Sequence, residues 1–234
     1  MSKIKKQSQK KFAVFDIDGT IFRSSLLIEF VDGLIAAGIF PPSAPEEYKK
    51  EYKRWLERKG SYRNYLERII EIHLKYIKGK YPADIEKVSK QVVSFHKNRV
   101  YRFTRGLSEK LKKTRYLLAI SGSPAMAAQE FGSYFGFNKV YGRVLEIGKD
   151  GRYTGKISHE ELISDKKKIL KRAMEKENLT LKNSIGVGDT EADIPFLEMV
   201  SRPIAFNPNK DLYKEAKKRG WEIVVERKDV IYRI

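Results

Sequence analysis

The sequence predicts an α/β fold in which a helical segment is inserted into a parallel sheet. Strand-length apolar runs alternate with helical patterns in the second half of the chain, as is typical of a parallel sheet covered on both faces. The stretch 24–99 interrupts this order, because it holds only helix-period patterns. A chain of 234 residues is long enough for one domain that carries a smaller inserted one.

Short, nearly continuous apolar runs mark the strands, as expected of parallel strands buried on both faces. The strands are predicted at 11–15, 116–120, 184–188, 203–206 and 222–225. The helices between them are predicted at 124–135, 165–178, 194–200 and 210–219. A further stretch, 140–155, has the pattern of a hairpin, since Lys149-Asp150-Gly151 supplies turn chemistry.

The inserted stretch contains apolar residues that recur every three or four positions, which predicts amphipathic helices. Prolines and a glycine separate the groups, at Pro41, Pro42, Pro45, Gly60 and Pro82. We therefore expect a helical cap domain at 24–99 and a core domain made of 1–23 and 100–234. The four groups are Leu26, Leu27, Phe30 and Leu34; Tyr48, Tyr52 and Trp55; Tyr62, Leu66, Ile69 and Ile70; and Ile85, Val88, Val92 and Phe95.

Composition excludes several classes of protein. The chain has no cysteine, so disulfides, thiolate metal sites and cysteine nucleophiles are ruled out. No apolar run reaches the length of a membrane span. The basic N-terminal segment 1–11 is followed by an apolar stretch, 12–15, that is too short for a signal peptide. These features predict a cytoplasmic protein.

The formal net charge is +18, and such a surface attracts anions. Two interpretations stand: a solvated lysine-rich surface, or a site for nucleic acid. We favour the solvated surface, because no stretch interleaves aromatic residues with Arg or Lys in a pattern typical of RNA binding.

Polar residues follow three of the predicted strands. Asp16 and Asp18 follow the first strand, Ser121 the second and Asp189 the third. Ligands of open α/β sheets bind outside the carboxyl ends of the strands, so these side chains are expected at one edge. Crowded carboxylates repel one another unless a cation lies between them, and hard oxygen ligands suit Mg²⁺.

The run Asp16-Ile17-Asp18-Gly19-Thr20 fits chemistry on a phosphate group. Side chains two apart in extended backbone point the same way, so both carboxylates can flank one bound phosphate. One can bind the metal and attack phosphorus, while the other protonates the leaving alcohol and later deprotonates water. Gly19 allows a sharp exit from the strand, and the Thr20 hydroxyl can hold that turn. The alternative is a strand followed by an ordinary Asp-Gly turn.

Three further segments fit the same chemistry. Ser121 and the Gly122 N–H can donate to phosphate oxygens where the next helix begins, although an ordinary serine cap explains the same pattern. A Ser-His-Asp hydrolase is disfavoured, since no Gly-x-Ser-x-Gly elbow is present. A lysine of the run 166–168 can neutralise the phosphate, and Asp193 can brace Asp189 from behind.

With these four motifs in this order, the chain resembles the haloacid dehalogenase (HAD) superfamily. It is most similar to the subfamily IB, phosphoserine phosphatase-like branch, whose helical C1-type cap lies between the first two motifs of a Rossmann-like core. The resemblance implies a Mg²⁺-dependent phosphatase that forms an aspartyl-phosphate. It implies Asp16 as nucleophile, Asp18 as general acid/base and carbonyl ligand of the metal, Ser121, Gly122 and Lys166 as phosphate-binding residues, and Asp16 and Asp189 as metal ligands, with Lys167 as the fallback for Lys166.

Departures from that branch concern the substrate. Phosphoserine phosphatases carry a Glu soon after the first motif, where this chain has Ser25, and often an Asn where it has Ala192. A cap arginine for a substrate carboxylate is not defined by the pattern, although Arg63 and Arg68 lie near. We therefore expect a small phosphorylated metabolite other than phosphoserine. The alternatives are a phosphotransferase with the same intermediate and a non-catalytic basic nucleic-acid-binding protein.

Overall fold

The computed structural model describes residues 8–160 and 165–234. Of the basic N-terminal segment, residues 1–7 lie outside the described part. Within the described residues, seven strands form one sheet in the order β3-β2-β1-β6-β7-β8-β9, and β4 pairs with β5 in a small second sheet. The strands are β1 Lys10–Phe15, β2 Tyr116–Pro124, β3 Lys139–Arg143, β4 Leu145–Ile147, β5 Tyr153–Ile157, β6 Leu179–Gly188, β7 Arg202–Phe206, β8 Glu222–Arg227 and β9 Val230–Arg233.

The main sheet is parallel except for its edge strand β9, which runs antiparallel to β8. Successive side chains of β1 enter opposite cores: Ala13 and Phe15 pack on one face, Phe12 and Val14 on the other. Both faces are covered by helices, so the predicted α/β parallel-sheet fold is confirmed. The covering helices are α5 Arg102–Leu111, α6 Ala125–Tyr134, α7 Lys166–Glu177, α8 Ile194–Leu197 and α9 Lys210–Arg219.

Four helices lie between β1 and α5, as the apolar spacing predicts. They are α1 Leu26–Ala36, α2 Lys49–Leu56, α3 Tyr62–Ile77 and α4 Pro82–His96. Their apolar faces form a third hydrophobic core that includes Phe30, Leu34, Ile69 and Val88. Phe95 does not belong to it, since 83% of this residue is exposed. The division into a cap at 24–99 and a core at 1–23 and 100–234 stays our proposal.

The prediction of a hairpin across 140–155 is wrong in its first half. Residues 139–143 form β3, which pairs in parallel with β2. The hairpin consists of β4 and β5, and its turn contains Gly151 at φ 74. The short run Val140-Tyr141-Gly142-Arg143 is too polar to be recognised as a strand of the main sheet from its own sequence. Helix α5 and strand β9 were not predicted either.

A buried histidine lies in α3 without a polar partner in the described part of the chain. His73 in α3 is fully buried beside the rings of Phe30 and Phe40. Neither of its ring nitrogens has a hydrogen-bond partner among the described residues. Burial, together with the charge of Arg143, lowers the pKa of His73 to about 3.

We expect acid to destabilise the fold through His73. The unfolded chain binds a proton at this residue below about pH 6.5, whereas the folded chain binds it only near pH 3. The free energy of unfolding therefore falls as pH drops through this window, by about 1.4 kcal/mol per pH unit at most. Denaturant titrations between pH 7 and pH 4 should show a shallower loss for His73→Phe. Parallel curves for the two proteins would contradict this.

Candidate active site

The carboxyl edge of the sheet brings the predicted residues together. Asp16 and Asp18 follow β1, which lies between β2 and β6 in the sheet. Ser121 lies in the second half of β2, and Asp189 directly follows β6. Lys166 is the first residue of α7, whose preceding Asp165 side chain accepts a hydrogen bond from the Lys167 N–H and so caps the helix.

A buried ion-pair network centres on Lys166. Its Nζ lies 2.6 Å from Asp16 Oδ1 and 2.5 Å from Asp193 Oδ1. Only 13% of the Lys166 side chain and 5% of the Asp16 side chain are exposed. The first residue of α7 thus reaches the end of β1, whereas the next lysine contributes its backbone N–H to the helix cap.

Asp193 holds the loop after β6 in place. Its Oδ2 accepts hydrogen bonds from the backbone N–H groups of Asp189 (2.9 Å) and Thr190 (3.1 Å). Its Oδ1 accepts from Lys166, so one fully buried carboxylate joins three segments. Gly188 permits this approach, because a Cβ there would lie 2.5 Å from the Asp193 Cβ. The position of Asp193 matches the predicted bracing role, which stays a proposal.

Asp18 faces a different set of groups from Asp16. Its Oδ2 accepts a hydrogen bond from Ser121 Oγ (2.6 Å), and its Oδ1 accepts from the Leu26 N–H (2.5 Å) and Ser123 Oγ (3.0 Å). The carboxylate therefore joins the end of β2 to the start of α1. Gly122 lies exposed between the two serines, where no side chain obstructs approach of a ligand to the backbone.

Gly19 and Thr20 position Asp189. Gly19 has φ +77, and a Cβ at this position would lie only 2.0 Å from Asp189 Oδ2. The Thr20 hydroxyl donates to Asp189 Oδ1 at 3.2 Å, and the Thr20 carbonyl accepts from Thr104 Oγ1 at 2.8 Å. Sequence reasoning expected the Thr20 hydroxyl to hold its own turn; it reaches instead across the sheet edge to Asp189.

Burial dominates the electrostatics of this group. It raises the pKa of Asp16 to about 8, with repulsion from Asp193 and Asp18 added and attraction to Lys166 opposing. The pKa values of Asp18 and Asp189 are also raised, chiefly by burial. For Lys166, burial lowers the pKa, but the charges of Asp16 and Asp193 outweigh it, so the ammonium stays charged. The single lysine leaves the clustered carboxylates under-neutralised.

The donor set fits a divalent cation. Carboxylate oxygens of Asp16, Asp189 and Asp193 lie within 4.8 Å of one another. Asp16 Oδ2 is buried and has no hydrogen-bond partner among the described residues. A hard cation such as Mg²⁺ would satisfy that oxygen and neutralise the cluster. The geometric set differs from the predicted one, because Asp193 takes part while the Asp18 carboxylate is turned to the serines; the predicted Asp18 ligand, a backbone carbonyl, stays a prediction.

Several residues near the site were not predicted. Ser123 joins Asp18 to α1, because its Oγ also accepts a hydrogen bond from the Leu27 N–H at 3.0 Å. Tyr62, the first residue of α3, has its pKa raised by burial and by the charges of Asp18 and Asp189, and its hydroxyl contacts Ser25. The Ser-Gly-Ser sequence gives a signal for Ser123. Tyr62 follows only from the packing of α3, which no local pattern encodes.

The candidate cap arginines have carboxylate partners of their own. Arg63 pairs with Glu67 and lies 3.4 Å from Glu191 of the core. Arg68 pairs with Glu71 and Glu47 on the cap surface. The two departures in sequence differ in burial. Ser25 is buried beneath Tyr62, whereas Ala192 is exposed in the short 3-10 helix Glu191–Asp193.

Comparison with known proteins places this site in a family. The sequence model of the haloacid dehalogenase-like hydrolases matches residues 13–198, well over half of the chain. The chain is 26% identical over 231 residues to the histidinol-phosphatase of Neisseria meningitidis serogroup C, with 92% of this chain and 98% of the relative covered. It is 27% identical over 229 residues to the phosphoserine phosphatase of Methanocaldococcus jannaschii, with 96% of each covered.

Solved structures share the fold. A protein of unknown function from Bordetella pertussis Tohama I has a TM-score of 0.74 at 21% identity, covering 92% of this chain and 98% of that one. A phosphoserine phosphatase with a phospho-aspartyl intermediate analogue has a TM-score of 0.61 at 24% identity, covering 95% and 96%. The chain belongs to the haloacid dehalogenase-like hydrolase family. The resemblance found in its motifs, and the prediction of a hydrolase, are thereby confirmed.

No described helix combines the length and apolar character needed to cross a bilayer.

Proposed function

We propose that the protein is a Mg²⁺-dependent phosphomonoesterase that works through an aspartyl-phosphate on Asp16. One observation carries the proposal: Asp16 places one oxygen on Lys166 and leaves the other buried and unpartnered beside Asp189. An oxygen in that state is available to a cation and to phosphorus. Relatives named histidinol-phosphatase and phosphoserine phosphatase support the reaction class.

Each proposed step uses side chains that lie at the carboxyl edge of the sheet. An Asp16 oxygen attacks phosphorus while the bond to the leaving oxygen breaks, and Asp18 gives its proton to that oxygen. Water then attacks the aspartyl-phosphate, Asp18 takes up the water proton, and inorganic phosphate leaves with the Asp16 carboxylate restored. Mg²⁺, when bound, would neutralise charge between the phosphate and the carboxylates. Lys166, Ser121 and the Gly122 N–H are proposed to bind the phosphate oxygens.

The surroundings of Asp18 suit its proposed role. Burial raises the pKa of this carboxyl group, which favours the protonated form required before the leaving oxygen departs. Ser121 and Ser123 fix its orientation toward the edge of the sheet. We therefore propose that Asp18 handles protons. Asp16, paired with Lys166, would attack as the carboxylate once a bound cation offsets the burial that raises its pKa to about 8.

We expect metal removal to stop turnover and to lower thermal stability. EDTA should reduce phosphate release from a generic aryl phosphate to background, and added Mg²⁺ should restore it. Mg²⁺ should also raise the melting temperature, because a cation relieves repulsion among the buried carboxylates. Asp189→Asn should lose that thermal shift, whereas Asp229→Asn, at an exposed turn, should keep it. Undiminished activity in EDTA would contradict the proposed site.

The proposed substrate is a small phosphorylated metabolite other than phosphoserine. Ser25 offers no carboxylate to an ammonium group, and its hydroxyl already contacts Tyr62. Glu29 is the acidic residue in the first turn of α1. Its carboxylate already contacts Arg99 (2.7 Å), His96 and Ser24. We propose that the cap at 24–99 covers the site and selects the leaving group. A metabolite phosphatase screen with Mg²⁺ would identify the substrate, and turnover of phosphoserine above all other esters would overturn this choice.

A further inference from the structure

A partly buried arginine lies at the end of β3, beside the segment of β2 that carries Ser121. Arg143 is the last residue of β3, and its strand partner Pro124 closes the segment that carries Ser121. Gly142 lets this strand end approach the start of α6, because a Cβ there would lie 2.6 Å from the Ala125 Cα. The charge of Asp18 acts on Arg143, and that of Arg143 acts on His73 in α3. The guanidinium is therefore within electrostatic reach of both Asp18 and α3.

Arg143 is not neutralised by the described part of the chain. Its Nη1 is buried and has no hydrogen-bond partner, and no carboxylate among the described residues lies within 4.0 Å of its guanidinium. Glu160 and Asp18 oppose the lowering of its pKa by burial, but neither forms an ion pair with it. A guanidinium cannot give up its proton in a protein, so a buried donor of this kind calls for an acceptor.

A cavity beside Arg143 gives room for such an acceptor. It has a volume of about 500 Å³ and lies where α1 and α4 meet α6 and the β4–β5 hairpin. Its walls are apolar at Phe30, Met126 and Tyr153. Ser89, which is fully buried, also lines it with a hydroxyl that has no partner. It is also lined by the charged side chains of Glu86, Lys90 and Glu130. A cavity that combines apolar walls with a few unsatisfied donors is typical of a small-molecule site.

From these observations we infer that Arg143 selects leaving groups that carry a second anionic group, a carboxylate or a phosphate, and rejects those that carry an ammonium. The inference rests on the proposed phosphomonoesterase function and names the substrate class of that site. Arg143 would pair with the second anion while the cavity holds the carbon chain. Ser25 favours the same selection, because its uncharged side chain would not attract an ammonium group.

The test uses three synthetic phosphomonoesters with the same three-carbon chain, ending in a carboxylate, a hydroxyl or an ammonium group. We expect kcat/KM of the full-length wild-type enzyme with Mg²⁺ to fall in that order. Arg143→Gln should lower the carboxylate-to-hydroxyl ratio about tenfold or more, mainly through KM, and should raise the ammonium-to-hydroxyl ratio. A merely structural loss would lower all three values together. Arg143→Lys, which keeps the charge, should retain part of the preference.

The control removes the same charge far from the site. Arg202 is the first residue of β7, so it lies at the amino ends of the parallel strands, opposite the end that carries the site. It pairs with Glu222 on the surface, and Arg202→Gln should leave both ratios unchanged. Wild-type preference for the ammonium ester would overturn the inference, even if Arg143→Gln failed to fold. Ratios in Arg143→Gln within twofold of wild type would also overturn it. If the wild type hydrolysed neither these three esters nor an aryl phosphate, the proposed function itself would be refuted.

Discussion

Replacement of Asp16 by Asn should abolish turnover while the fold survives. The amide oxygen is a poor nucleophile and a weaker metal ligand, so we expect kcat for an aryl phosphate to fall by about 10³-fold or more. The amide has the shape of the carboxylate, and its oxygen can still accept a hydrogen bond from the Lys166 ammonium, now 2.6 Å from Asp16 Oδ1. Asp16→Asn also removes one of several crowded charges, so its melting temperature in EDTA should equal or exceed that of wild type.

A matched control separates this effect from a general loss of negative charge. Asp229 lies exposed in the turn between β8 and β9, and Asp229→Asn should keep activity within twofold of wild type. Circular dichroism and thermal unfolding would verify that both variants fold. Wild-type turnover by a folded Asp16→Asn protein would refute Asp16 as the nucleophile and, with it, the proposed mechanism.

Local sequence patterns predicted the core strands and the residues at their carboxyl ends. A buried parallel strand needs a continuous apolar run, and 11–15, 116–120 and 184–188 each end at a polar residue of the site. The convergence of Asp16, Ser121 and Asp189 then follows from the general geometry of parallel sheets. The helices of the stretch 24–99 could be predicted from sequence in the same way, because an amphipathic helix repeats its apolar positions within one segment.

Features that depend on contacts between separate segments could not be predicted from local sequence patterns. Strand β3 is a main-sheet strand only because it lies beside β2, and its own residues lack a strong strand pattern. The position of the Asp193 carboxylate beside Asp189 matches the predicted bracing role, but its ion pair with Lys166 was not predicted. No sequence pattern singles out Arg143. Its proposed role follows from a buried Nη1 that has no partner among the described residues and from the charge of Asp18 that acts on it.

Replacement of Gly19 by Ala should displace Asp189, a proposed metal ligand, and so lower activity. The new Cβ would lie 2.0 Å from Asp189 Oδ2 and 2.8 Å from its Cγ, so the Asp189 carboxylate must move. That movement would also strain the Thr20–Asp189 hydrogen bond and displace one proposed metal ligand. Since an error of about 1 Å in a catalytic group can cost about 10²-fold in rate, we expect at least that loss of activity. The Mg²⁺ concentration for half-maximal activity should rise as well.

Gly38→Ala supplies a control with the same backbone strain but without the collision. Gly38 has φ +69, close to the +77 of Gly19, and no atom lies within 4 Å of its added Cβ. Both substitutions place a side chain in the left-handed region, so each should lose roughly 1 kcal/mol of stability. Only Gly19→Ala should lose activity and Mg²⁺ response. Equal activity of the two variants would show that the contact between Gly19 and Asp189 does not set the geometry of the metal ligands.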